Sequence, residues 1–261
     1  ILLVFSYSAY YFILINLTVL LSLIFKSSTG ALSLTIVTWV MWTIFLPKII
    51  GNTVEKTSPL PTRVEFQNAM DIDRSKGIDG HNPSGERKKE LESETLAKYK
   101  VNSLEELPVN FLGILMQADE EYGNEVWDKH FGSLYLQMQA QKSNYQLSGF
   151  FNPFASIQSL SMGTAGTDMF HHLDFLRQAE HYRRFFIKKL NDEYAFGGSK
   201  TGDRGWKADT EFFQSVKDFK YQFPRFTSLA TKYVIDMIVL FLWSVLLIFL
   251  LKYSSEKQAI L

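Results

Sequence analysis

Three uncharged apolar runs interrupt an otherwise polar chain, and their placement sets the first expectation about the fold. Residues 1–25, ILLVFSYSAYYFILINLTVLLSLIF, hold neither a charge nor a proline. Gly30 to Leu46 repeats the pattern, closed by Pro47 and Lys48, and so does Tyr233 to Leu251 with one exception, Asp236. About 20 predominantly apolar residues are enough for a helix to cross a bilayer. The pattern predicts an α-helical integral membrane protein with three transmembrane helices and an inserted, mainly α domain. Its expected parts are a membrane hairpin over 1–50, a polar domain over 51–227, and a last span with a short tail over 228–261. The polar segment carries six of the seven prolines and is long enough to build its own core. The four residues Lys26 to Thr29 allow only a tight turn, so the first two spans run antiparallel.

Within the polar segment, GNTVEKTSPLPTRVEF reads as an extended linker, because Pro59 and Pro61 hold the chain away from helix. DIDRSKGIDGHNPSGERKKE reads as a solvated loop. Glu86 to Lys100 reads as a charged helix, and Ser103 to Glu106 matches a capping box. From Asn110 to Tyr145, apolar residues at 111, 115, 118, 122, 126, 131, 134 and 138 keep a helical spacing, which predicts a long core helix with one buried face. LSGFFNPF ends it through Gly149 and Pro153. A further helix is expected from Asp168 to Tyr194, before Gly197-Gly198. SKTGDRGWKADT, 199–210, reads as a mobile surface loop, and Phe219, Tyr221 and Phe223 as a short strand or extended leg.

Composition changes little in this picture. The 27 basic and 27 acidic residues balance. The absence of cysteine excludes disulfides and thiolate metal sites. The chain begins at Ile1 inside an apolar run, without the basic region and cleavage site of a signal peptide. This predicts the C-terminal part of a longer chain. If the polar domain lies outside the cell, Lys26, Lys252 and Lys257 are cytoplasmic while Lys48, Lys56, Arg63, Arg225 and Lys232 lie near the outer ends. The positive-inside count alone would put the domain inside, but long loops translocate largely regardless of charge. Trp39, Trp42 and Trp243 read as membrane packing or anchoring residues.

The candidate chemistry gathers in LSMGTAGTDMFHHLDF, 160–175. Ser-Leu-Ser161-Met-Gly lacks the first glycine and the leading strand of a nucleophile elbow. Gly163-Thr-Ala-Gly166-Thr-Asp lacks the Lys-Ser/Thr ending of a phosphate loop. His171 and His181 are about 15 Å apart along one helix, and His171 and His172 point about 100° apart, so neither pair shares an ion. Arg177-Gln-Ala-Glu180-His181 puts arginine where the H-x-x-E-H zinc pattern needs histidine. Asp71, Asp73, Ser75 and Gly77 hint at a calcium loop, yet its glycine and glutamate positions hold Lys76 and Asn82. No catalytic residue, metal ligand or cofactor is assigned. The structural reading is that Thr167 or Asp168 caps a helix, that His172 pairs with Asp168 one turn away, and that the small residues 161–166 allow close packing. Asp236 is expected to pair with Lys232 near the membrane interface.

The stretches AYYFILINLTVLLSLIFKSSTGALSLTIVTWVMWTIFLPKI (9–49), YKVNSLEELPVNFLG (99–113), NPFASIQSLSMGTAGTD (152–168) and HHLDFLRQAEHYRRFFIKKLN (171–191) resemble the permeases of ABC-2 type transporters. The resemblance is to the branch with a large extracytoplasmic domain before the last span. It implies six spans per subunit, of which these are the last three, in the cell (inner) membrane with the large domain outside. It also implies a separate ABC ATPase subunit, a second permease subunit, identical or related, and contact with membrane lipid. An envelope protein is a further expected partner through the extracytoplasmic domain, and nucleic acid is not expected. The substrate-binding residues are unknown from the motifs. Two other readings stand beside it: an envelope scaffold or sensor, and a membrane-anchored hydrolase built on Ser161, Asp168 and His171.

Overall fold

The computed structural model describes residues 2–25, 27–78, 80–203 and 205–259. Lys26 of the predicted turn, Asp79 and Arg204 of the two polar loops, and Ile1 lie outside the described residues. The protein is 81% helix, with no strand among the described residues.

Three helices are long and apolar enough to cross a membrane: Leu2–Ile24, Ser28–Thr57 and Thr227–Lys257. The first is α1 (Leu2–Ile24). The second begins as α2 (Ser28–Val40), where the Ser27 hydroxyl accepts from the Gly30 amide at 3.4 Å. It continues through a π turn at Met41–Phe45 into α3 (Leu46–Thr57). The expectation that Pro47 closes this helix is therefore wrong. Proline lacks an N–H and clashes with the preceding turn of an α-helix, and the wider π turn, in which the Leu46 amide reaches back to the Met41 carbonyl, absorbs the misfit.

The predicted extended linker shrinks to residues 58–62, because α4 (Arg63–Lys76) starts at once. Thr62 and Glu65 form a reciprocal capping box, Thr62 Oγ1 accepting from the Glu65 amide at 3.3 Å and Glu65 Oε2 from the Thr62 amide at 2.9 Å. Pro59 and Pro61, just upstream, masked this T-x-x-E signal. Thr62→Ala is expected to cost about 1 kcal/mol locally, read as roughly fivefold faster hydrogen exchange at the Glu65 and Phe66 amides. An unchanged rate would show that the box does not hold the helix start. The calcium-like residues Asp71, Asp73 and Ser75 lie on α4 rather than in a loop, and Asp73 is bonded to Lys129 and His130, each at 2.7 Å.

The charged helix appears as α5 (Ser84–Tyr99). The box expected at Ser103 does not form, since Glu106 instead accepts from the Asn102 amide at 3.0 Å. The long helix is α6 (Phe111–Leu147). Its apolar face is only partly closed: Phe111 and Val126 are buried and the other predicted positions are half-buried. There follow α7 (Pro153–Ala165), α8 (Met169–Phe196), the short α9 (Thr210–Ser215) and α10 (Phe226–Leu229), and α11 (Val234–Ala259). Residues 216–225 form neither helix nor strand.

Compactness divides the chain into two units. One gathers the chain up to Leu60, Gln137–Asp174 and the part from Phe223 onward; the other holds Pro61–Leu136 and Phe175–Gln222. In the first, α1 packs on α2, α7 and α11 around Ile13, Leu20, Trp42, Leu160, Tyr233, Leu240 and Leu247. In the second, Leu107, Phe111, Val126 and Ala195 are buried, and Trp127 stacks on Phe131, which meets Phe66 edge to face. The start of the predicted mobile loop is anchored there: Ser199 is buried and accepts from Asn110 Nδ2 at 2.7 Å, while Thr201 Oγ1 accepts from the Phe111 amide at 3.0 Å.

Candidate functional site: a buried polar cluster beside the last apolar helix

Residues 160–175 form the end of one helix and the start of the next. α7 ends at Gly166, whose φ of 71° lies in the left-handed region that glycine enters without penalty. The Thr167 amide closes the turn on the Met162 carbonyl at 3.0 Å. Asp168 then caps α8, its Oδ1 accepting from the His171 amide at 3.1 Å. The same oxygen meets His171 Nδ1 at 2.6 Å, and the Tyr233 hydroxyl donates to Oδ2 at 2.6 Å. All three residues are buried. Burial alone would raise the Asp168 carboxyl, but hydrogen bonds from Tyr233 and His171 and the His171 charge outweigh it and hold it below the ordinary carboxylate value.

The small residues before the turn serve the same cluster. A side chain at Gly163 would collide with the Tyr233 ring, so glycine here is what lets the ring reach Asp168. The His171 ring lies against Phe223 with centroids 5.1 Å apart.

A second group adjoins it. Lys142 Nζ donates to Ser159 Oγ at 2.8 Å, and Gln146 Nε2 donates to Asp236 Oδ2 at 2.6 Å and to the Lys232 carbonyl at 3.0 Å. Asp236 is fully buried, and among the described residues its Oδ1 and the buried Ser156 hydroxyl have no hydrogen-bond partner. Burial pushes the Lys142 ammonium below its ordinary value, against the pull of Asp236 and Asp168. A buried carboxylate is tolerated only with hydrogen bonds and compensating charge, and Gln146 and Lys142 supply them from α6. Lys142 also lines a cavity of 580 Å³ with Gly51, Val54, Leu60, Met138 and Met169.

The sequence expectations are thus met unevenly. Asp168 caps the helix, as the pattern predicts. Its side-chain partner is His171, not His172, which is exposed; position 171 lies three residues after Asp168, within reach of its carboxylate. Lys232 does not pair with Asp236, and its ammonium instead lies 5.5 Å from the centroid of the Phe170 ring. Ser161 Oγ bonds the Tyr7 hydroxyl at 3.1 Å, while His171 Nδ1 is held by Asp168. Among the described residues no hydrogen bond joins that serine to that histidine. Glu180, in the zinc-like pattern, is bonded by Arg183 and Arg184. Among the described residues no group of three His, Cys, Asp or Glu is placed to hold a metal ion. Lys142, Gln146, Ser159 and Tyr233 were missed by sequence reasoning. The available signal was the i,i+3 spacing of Tyr233 and Asp236 on one helical face.

In the second unit, charge is paired along α6 and α8. Arg184 makes a two-pronged bond to Asp128 at 2.9 and 2.7 Å and bonds Glu180 at 2.8 Å, and Arg183 joins Glu180, Glu120 and Asn124. Arg87 lies 3.6 Å from the Tyr122 ring centroid.

Fold and cluster together define an all-helical protein with three helices of membrane-spanning length and a buried polar joint beside the last of them. Residues 63–222 match the family described as Domain of unknown function (DUF3526). They make up more than half of the chain, which therefore belongs to that family. No curated protein and no solved structure matches the chain.

Proposed function

We propose that the chain is part of a membrane (permease) subunit of an ATP-binding-cassette transporter of the ABC-2 type, moving a substrate with a separate ATPase subunit and a second permease copy. The observation that carries this reading is the order of elements: two span-length apolar helices in close succession, a long polar helical insertion, and a third such helix that packs against the first. The exposed faces of these helices support it. Val4, Phe5, Ile15, Phe241 and Phe249 are each more than 60% exposed, and apolar surface in that quantity suits lipid rather than water. In this reading the inner membrane holds the three helices, the polar insertion is extracytoplasmic, and ATP is hydrolysed on the partner. The buried cluster then acts as a joint. Asp236 and Tyr233 tie the last span to α6 and to the start of α8, so a movement of that span is felt by both.

The test is affinity purification of the full-length protein from mildly solubilised membranes, with and without prior cross-linking. A co-purifying ATPase subunit with vanadate-sensitive turnover is the expected result. Recovery of the protein alone from both preparations would refute the reading.

A further inference from the structure

We infer that the hollow between α8 and residues 217–222 is a binding site for a small organic anion with a flat aromatic body. The site lies within the second unit and stands apart from the transporter reading.

It starts from one row of side chains on a helix. Gln178, His181, Tyr182 and Phe185 follow one another at i, i+3, i+4 and i+7 along α8, so they share a face. Residues 217–222 have no helix or strand of their own and are held against that row by side chains. Gln178 takes up both backbone groups of Gln222: its Nε2 donates to the Gln222 carbonyl and its Oε1 accepts from the Gln222 amide, each at 2.9 Å. Phe219 packs on Tyr182 with ring centroids 5.4 Å apart. These attachments leave a cavity of 520 Å³ walled by Tyr182, Phe185 and Phe219, and the Phe185 side is 37% exposed. Small-molecule sites have volumes of this order and combine apolar walls with a few charged groups.

Charge selects the ligand. Arg177, His181, Lys217 and Lys220 also line the cavity and are exposed, and among the described residues none of them has a hydrogen-bond or ion-pair partner. Elsewhere on α8 the cations are answered: Arg183 by Glu180 and Glu120, Arg184 by Asp128, and Lys188 by Asp192. Asp218 is the carboxylate on the lining, so Arg177, Lys217 and Lys220 less Asp218 leave a surplus of two positive charges with His181 neutral. An uncharged apolar ligand would leave that surplus unanswered, and an inorganic anion would leave the aromatic walls in water. An aromatic body packs on the rings while its carboxylate or sulfonate takes charge-assisted hydrogen bonds from guanidinium and ammonium groups. Arg177 and His181, which fail as a zinc pattern, stand one helical turn apart at this cavity.

The probe is 2-naphthoate, titrated calorimetrically into the full-length protein in phosphatidylcholine nanodiscs, with empty discs as the blank. Saturable binding near or below about 1 mM is expected for a ligand of this size. 2-Naphthalenemethanol, which keeps the body and lacks the charge, should bind about tenfold more weakly or worse, the worth of a charge-assisted hydrogen bond. Lys217→Gln/Lys220→Gln changes two exposed side chains without partners and should weaken naphthoate by a similar factor. Lys88→Gln/Lys89→Gln removes the same charge from exposed positions on α5 and should leave the affinity unchanged. Naphthoate that does not saturate by about 10 mM, equal affinity for the alcohol, or equal losses in the two lysine pairs would each overturn the site. Capture of phosphatidylglycerol vesicles through Lys217 and Lys220, without saturable naphthoate binding, would overturn it too and assign the basic patch to a membrane surface.

Discussion

Asp168→Ala is expected to destabilise the protein by about 3 to 5 kcal/mol, which lowers the thermal midpoint of the detergent-solubilised chain by roughly 10 °C. The carboxylate takes bonds from the His171 amide, the His171 ring and the Tyr233 hydroxyl, all buried. Its loss strands three donors at once. Asp168→Asn keeps an acceptor for the helix-start amide but presents an amide group to Tyr233, so its cost is intermediate. His172→Ala changes nothing, since that side chain is exposed. The pH dependence has a definite sign. A carboxyl held below its ordinary value contributes stability above the unfolded value of about 3.9, lost as pH falls through the folded one. The gap between wild type and the alanine variant therefore closes in acid and is fully open at neutral pH. A midpoint within 2 °C of wild type at neutral pH, a loss of about 1 kcal/mol or less, would show that the network is not formed.

Gly163 gives the second large effect, and here the sign is diagnostic. In an open helix, Gly→Ala gains up to about 1 kcal/mol from helix propensity. Gly132, inside α6 with open space where a Cβ would stand, is such a place, and Gly132→Ala should leave stability unchanged or raise it. At Gly163 the new methyl collides with the ring of Tyr233, which is fully buried and held by Asp168. Gly163→Ala should reverse the sign, and Gly163→Val should cost about 3 kcal/mol or more, at the upper end of overpacking effects. Circular dichroism melts of the three variants measure this. Equal gains at both glycines would mean that the ring does not sit against α7.

Several elements could be read from periodicity and punctuation alone. The three apolar runs, the charged helix before Lys100 and the two long helices each carry a pattern longer than any local accident, and their ends agree with the structure to within a few residues except at Pro47 and after Leu251, where α11 continues to Ala259. The exception at Pro47 is instructive. Proline ends an isolated α-helix, but a π turn supported by a donor from Asn152, 110 residues along the chain, lets the second apolar helix run on to Thr57. The capping box at Thr62 was hidden in a proline-rich stretch, and the one suggested at Ser103 lost to a competing bond from Asn102. Asp168 was legible as a cap because capping is local. His171 could not be told from His172 without knowing which face of α8 is inward.

The sequence by itself determined the class of this protein. Long uncharged runs must become helices in an apolar setting, because no other local structure satisfies their backbone, and a polar segment with helical spacing must form helices of its own, although Gln137–Asp174 joins the unit of the apolar helices. Tertiary structure alone decided which polar groups meet. Lys142, Gln146, Asn152, Ser159, Asp168, Tyr233 and Asp236 are scattered over almost a hundred residues and share no motif. Packing of α1, α7 and α11 brings them together, and the cost of leaving a buried polar group unpaired then selects Gln146 rather than Lys232 for Asp236.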